Sequence, residues 1–199
     1  MSKKKPLNEL YSQDFLKYKS ENDIEIINLD SVSNFSELRT KMQQISCEGK
    51  VSGIRFKLND TRYHIIGFSD CPTSGEIGCY FRRNFLSIKN DSLIIGYGKY
   101  KRKKPINYLK TELNNIMSFP HNFQYNEDKV KAALIHFYVE DKYPISITKT
   151  VLKEIAEQFS ALNSKSSLDY FKYSILFESV DVSSIPPPPP NPNEFDIEK

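Results

Sequence analysis

The sequence predicts an α+β fold: an N-terminal, mostly antiparallel or mixed sheet of about six strands, followed by a helical half. Two observations carry this. Between Asp23 and Tyr97, short apolar runs rich in β-branched residues are punctuated by Gly, Asn and Asp, with a single helical interruption. From Tyr108 onward the apolar residues recur every three and four positions instead. A length of 199 residues suits one domain with extended ends. The organisation expected is an N-terminal helix or extension over 1–22, one domain over 23–182, and a proline-rich tail over 183–199.

Each element has its own signal. Leu7, Leu10, Tyr11, Phe15 and Tyr18, following Pro6, predict a helix over 7–19. Asp23 to Leu29 alternates as a strand, and Ser33 can cap a helix whose Phe35, Leu38, Met42 and Ile45 share one face. Residues 54–58 and 62–68 read as a hairpin across Asn59-Asp60. Residues 76–82, 85–88 and 92–97 read as three further strands, with a turn at Lys89-Asn90-Asp91. Helices are expected over 108–117, over 128–138 on Val130, Ala133, Leu134 and Phe137, and from Ser146 or Thr148 to Leu162. Leu168 to Val180 fits strand and helix equally.

Composition narrows the function classes. With 13 Phe and 12 Tyr the chain can fill a core, which excludes global disorder. Net charge is +3, so any attraction for a polyanion must come from local clusters, and these exist at Lys3–Lys5 and Lys99–Lys104. Cys47, Cys71 and Cys79 are odd in number and lack ligand spacing, so they read as free thiols in a reducing compartment rather than as a disulfide framework or zinc site. His64, His121 and His136 have no metal-ligand spacing, and no metal or cofactor is expected. His136, among apolar neighbours, reads as a core or boundary residue. No apolar run approaches a membrane span and no secretory leader follows Lys5, so a cytoplasmic protein without a membrane partner is expected, with export by a route that needs no leader as the alternative.

The most distinctive stretch is Ser92 to Tyr108. Leu93-Ile94-Ile95 leads through Gly96-Tyr97-Gly98 into five cations among six residues: Lys99, Lys101, Arg102, Lys103 and Lys104. With Tyr97, Tyr100 and Tyr108 interleaved, it is a candidate nucleic-acid contact, cations for phosphates and rings for bases. A solvated basic turn has the same composition. Further on, Glu154 and Glu157 stand three apart on one helix face, as a carboxylate pair or as an exposed charged stripe.

The order of these motifs resembles the ribosome-inactivating proteins, the rRNA N-glycosidases that include the ricin and Shiga toxin A chains. The resemblance covers residues 24 to about 160. It is carried by Ile24-Glu25-Ile26-Ile27-Asn28-Leu29 before Asn34-Phe35-Ser36-Glu37-Leu38-Arg39, by Leu93-Ile94-Ile95-Gly96-Tyr97, by Asn107-Tyr108-Leu109, by Ala133-Leu134-Ile135-His136-Phe137-Tyr138, and by Glu154-Ile155-Ala156-Glu157-Gln158-Phe159. In that family a flipped adenine stacks between two tyrosines, an arginine donates to the base, and a glutamate stabilises the oxocarbenium-like sugar or activates water. The resemblance implies that Tyr108 is a stacking residue and Glu154 the catalytic glutamate. The other two positions fall on Leu93 and Glu157. What it implies is a domain that binds rRNA or the ribosome, with depurination resting on two of its four residues.

The tail supplies a second, non-enzymatic reading. Ile185 precedes Pro186, Pro187, Pro188, Pro189 and Pro190, and acids follow from Glu194. Such a run is pre-organised as a polyproline II rod and suits partners of EVH1, SH3 or profilin type, as well as serving as a stiff spacer.

Overall fold

The computed structural model describes residues 7–72, 84–96, 100–119, 121, 124–126, 128–165 and 170–185. These residues form one sheet of ten strands with helices distributed along the chain. The strands are β1 (Asn8–Tyr11), β2 (Ile24–Asn28), β3 (Val51–Leu58), β4 (Thr61–Phe68), β5 (Phe85–Lys89), β6 (Ser92–Ile95), β7 (Arg102–Pro105), β8 (Gln124–Asn126), β9 (Lys129–Tyr138) and β10 (Phe171–Phe177). The α-helices are α1 (Phe15–Glu21), α2 (Phe35–Cys47), α3 (Leu109–Ser118) and α4 (Ile145–Asn163). The α+β class and the mixed sheet agree with the sequence. The division into a strand half and a helical half does not.

The sheet runs β2-β3-β4-β10-β9-β5-β6-β7. Its middle, β4-β10-β9-β5, is parallel, and hairpins extend it antiparallel on both sides. β1 lies parallel to the first half of β4, on residues that β10 does not reach, and β8 folds back on β9. α2, α3 and α4 share one core with one sheet face. Phe35, Leu38 and Met42 of α2, Leu109 and Leu113 of α3, and Val151, Ile155 and Phe159 of α4 are all buried there. Phe35, Phe137 and Phe177 form a ring cluster joining α2, β9 and β10, with centroids 5.3 to 5.7 Å apart. Buried Asn163 ends α4 and directs the return into β10, since its amide donates to the Phe171 carbonyl at 3.1 Å and its oxygen accepts from the Phe171 N–H at 3.0 Å. On the opposite face, Phe15 of α1 packs edge-on to His64, which stacks on Tyr11.

Several expectations are corrected. The helix expected over 128–138 is strand β9. Its register against β10 slips between Phe171 and Tyr173, pairing Val130 with Phe171 but Ala133 with Tyr173. That one-residue bulge puts Val130 and Ala133 on the same, helix-covered face, and a spacing of three then imitates a helical period. The helix expected over 7–19 is β1, a turn with Asp14 at φ 64°, and then α1. Tyr11 and Phe15 do meet, 5.7 Å apart, but across that turn. Residues 102–105, read as loop, form edge strand β7. The segment left open over 168–180 contains β10. The cap of α2 is Asn34 rather than Ser33: its side chain accepts from the Glu37 N–H at 2.9 Å, while Glu37 accepts from the Ser33 N–H. That bond and the Lys41 ammonium hold the Glu37 carboxyl down to about 2.

Cys47 and Cys71 are disulfide-bonded, tying the end of α2 to the residues after β4. Disulfides persist in oxidising compartments and are rare in the cytosol, so this pair counts against the free thiols and reducing surroundings expected from cysteine spacing. Cys79 and the strand expected over 76–82 lie outside the described residues. No helix among the described residues is long and apolar enough to cross a membrane.

The two buried glycines of the β3–β4 hairpin differ in what surrounds them. A Cβ on Gly67 would lie 2.7 Å from the Phe177 ring, 2.8 Å from Met42 and 2.9 Å from Ile54, all in the core. A Cβ on Gly53 would meet the side-chain ends of Ile24 and Ile26 on the outermost strand, which can swing away. Gly67→Ala is therefore expected to lower stability by about 1–3 kcal/mol, and Gly53→Ala by less, in denaturant titrations. Equal losses would contradict this difference in packing.

Candidate nucleic-acid interface

β7 exists because β6 offers it a complete antiparallel partner: Leu93 faces Lys104, Ile94 faces Lys103 and Ile95 faces Arg102. Leu93 is 1% exposed, held in the core by its neighbours on β5. β7 pairs only with β6 among the described residues, so its outer edge is open. The pleat sends Arg102 and Lys104 to the helix-covered face and Lys103 to the other. Arg102 and Lys103 are exposed, and no carboxylate among the described residues lies within ion-pair distance of either. Lys104 lies over the Tyr108 ring at 5.2 Å, a cation–π contact that steers both side chains. Tyr100 is 72% exposed. Tyr97 and Lys99 lie outside the described residues, as do Lys3–Lys5.

Lys101 is engaged within the fold. Its ammonium donates to the Ser183 carbonyl at 2.8 Å. Nearby, Lys89 pairs with Asp181 at 3.1 Å and with Glu140 at 3.4 Å. Burial alone would raise the Asp181 carboxyl, but its hydrogen bond from Ser183 and the Lys89 charge hold it below the usual range. The same Asp181 side chain caps the short 3-10 turn Val182–Ser184. These contacts fix the end of the described chain beside the start of the basic strand. Ile185 is the last described residue and is 59% exposed, while Pro186 to Pro190 lie outside the described residues.

Tyr108 and Glu154 fall on adjoining elements, because the 3-10 turn Ile106–Tyr108 packs against α4. Tyr108 is itself partly buried against the core. Glu154 is not a free carboxylate. Lys153 lies between the two glutamates, 3.1 Å from Glu154 and 3.0 Å from Glu157. Gln158 donates to Glu154 at 3.5 Å. Glu157 in turn accepts the Tyr63 hydroxyl at 2.6 Å. Lys153 thus offsets one of the two negative charges, and Glu157 carries the link from α4 to β4. Its hydrogen bonds to Glu157 and Glu154 push Lys153 above its ordinary value. Burial, then Glu157, pushes Tyr63 up to about 12.

His136 is a part-buried boundary residue on β9, 4.5 Å from the Phe85 ring and hydrogen-bonded to Glu178. Among the described residues no group of three or more His, Cys, Asp or Glu is placed to hold a metal. Sequence reasoning missed one cationic cluster: the β3–β4 hairpin gathers Arg55, Lys57 and Arg62 on a single face. The signal was there, since Arg55 and Lys57 alternate within a strand and Arg62 follows the Asn59-Asp60 turn.

Comparison of the chain with protein-family models, with curated proteins and with solved structures finds no match.

The Tyr63–Glu157–Lys153 bridge has a pH signature. A tyrosine whose pKa is raised on folding adds stability that is complete below its unfolded value, near 10, and is lost as pH rises towards about 12. Tyr63→Phe should flatten the fall in stability across that window, and should remove one high-pH tyrosine from an absorbance titration. An unchanged slope would show that Tyr63 does not carry this bond.

Proposed function

We propose that the protein is a non-enzymatic RNA-binding module that uses edge strand β7 as its phosphate track. The observation that carries this reading is the exposure of Arg102 and Lys103 on an open edge without a carboxylate partner among the described residues. Cations on an open edge also protect it from pairing with other strands. Two features favour RNA as the ligand. Tyr100, 72% exposed, precedes the strand with a ring suited to an unstacked base, and Tyr108 follows it with Lys104 over its ring. The motif order is similar to that of proteins that act on rRNA. The non-enzymatic part of the proposal rests on the engaged state of Glu154, on Glu157 where that family has an arginine, and on Leu93, buried where it has a stacking tyrosine.

For a short single-stranded RNA, Arg102→Gln with Lys103→Gln should weaken binding measured by fluorescence anisotropy. It should also reduce the slope of log affinity against log salt by roughly 1.4, about 0.7 for each phosphate contact removed. An unchanged slope would refute β7 as the contact. Ribosomes treated with the protein should give no scission fragment after aniline. A fragment that disappears in Glu154→Gln would overturn the non-enzymatic assignment.

The fixed exit beside Lys101 favours a second reading, in which the proline segment from Pro186 to Pro190 recruits a polyproline-binding domain next to the basic strand. Removing residues 185–199 should abolish binding to a purified EVH1, SH3 or profilin-type domain and leave the melting temperature unchanged. Binding that persists after the deletion would eliminate the tail as the contact.

A further inference from the structure

The face of the sheet that carries α1 has a feature not needed for the β7 reading. Across the β3–β4 hairpin, Lys57 stands directly opposite Arg62, and Arg55 directly opposite His64. Both pairs lie on one face because they are two residues apart along each strand. Like charges directly opposite each other in a ladder are destabilising. Here Lys57 and Arg62 form one such position, and Arg55 adds a third cation one pleat further along, opposite the His64 ring. On the next strand Asn28 is the partner of Arg55, so its side chain joins the same face.

Counter-charge is limited. Glu9 pairs with Arg62 at 3.1 Å, approaches the His64 ring at 3.6 Å, and also accepts the Tyr11 hydroxyl. Asp30 accepts from the Lys57 backbone N–H at 3.4 Å, while its carboxylate pairs with Lys149 at 2.7 Å. The head groups of Arg55 and Lys57 have no carboxylate at ion-pair distance among the described residues. The field registers at His64, which lies below its ordinary value through burial first and then through Arg62, Arg55 and Lys19, against the opposing pull of Glu9.

These residues also enclose space. Asn28, Asp30, Arg55, Phe56, Lys57 and Arg62 line an open depression of about 290 Å³. The Asn28 side-chain oxygen is taken by the Asp30 N–H at 3.3 Å, which leaves its NH₂ to donate outward. Two guanidiniums, an ammonium and an amide thus line one cavity, together with the Asp30 carboxylate, whose charge is taken up by Lys149; the excess of donors suits the tetrahedral oxygens of phosphate.

We propose that this depression binds the phosphate groups of a small phosphorylated molecule, with Arg55 and Lys57 as the principal contacts and Arg62 and Asn28 completing the site. A dianionic group there would offset the repulsion that the hairpin builds in. The site is separate from β7: six strand spacings lie between β3 and β7, about 29 Å across the sheet. It stands whether or not β7 binds RNA.

The test titrates the full-length protein with inorganic pyrophosphate and, in parallel, with ADP, by calorimetry at about 0.15 M salt. Saturable single-site binding of pyrophosphate is expected. Arg55→Gln with Lys57→Gln should weaken it about tenfold or more, whereas Arg102→Gln with Lys103→Gln should leave it unchanged. Both substituted residues of the hairpin are exposed, and melting curves verify that the variant folds. Tighter binding of ADP would place a nucleoside beside the phosphates, and equal binding would assign recognition to phosphate alone. Absence of saturation with both probes would overturn the site. So would equal weakening by the two variant pairs, because it would mark diffuse attraction to net positive charge.

Discussion

β9 is hydrogen-bonded to β10 on one side and to β5 and β8 on the other, and most of the molecule is arranged around that double pairing. α4 connects β9 to β10 across the sheet and buries Val151, Leu152, Ile155, Ala156 and Phe159 beneath it. The ring cluster of Phe35, Phe137 and Phe177 then brings α2 onto the same two strands. Because β9 is covered on both faces along much of its length, its run from Ala133 to Phe137 is almost wholly apolar. Burial of this central strand positions both hairpins, and the hairpins position the two cationic surfaces at opposite ends of the sheet.

Those surfaces differ in construction. On β7 the cations project to both sides of an edge that is open among the described residues, beside tyrosines and beside Ser183. That arrangement suits an extended polymer, whose phosphates can follow an edge. On the β3–β4 hairpin the cations share one face and line a depression with the Asn28 amide and an Asp30 carboxylate already paired to Lys149, which suits a compact anion. Lys101 and Lys153 are basic residues with structural roles, one holding the chain exit and the other holding two glutamates together. Cation count along the sequence does not distinguish these uses, whereas the neighbours of each head group do.

Legibility from sequence followed the locality of each interaction. The hairpin turns at Asn59-Asp60 and at Asn90 were readable because Asn tolerates the positive φ those positions require, 54° and 56°. α2 and α3 were readable because each buries one stripe and exposes the other. β9 was not, because a bulge set by pairing with β10 restored a spacing of three among its core residues. β1 was not, because it is stabilised by an edge of β4 more than fifty residues away in the chain, so nothing local distinguishes it from a helical turn.

The residues alone determined the α+β class, the two strand-turn-strand hairpins, the apolar faces of the helices and the concentration of positive charge before Tyr108, since these depend on periodicity and composition over neighbouring residues. Only the tertiary structure decided that Cys47 meets Cys71, that Glu154 and Glu157 are bridged by Lys153, that Lys101 is engaged by Ser183, and that Arg55, Lys57 and Arg62 share a face. The physical reason is the same in each case. A side chain's role is set by the group opposite it, and strand register and helix docking choose that group from distant parts of the chain.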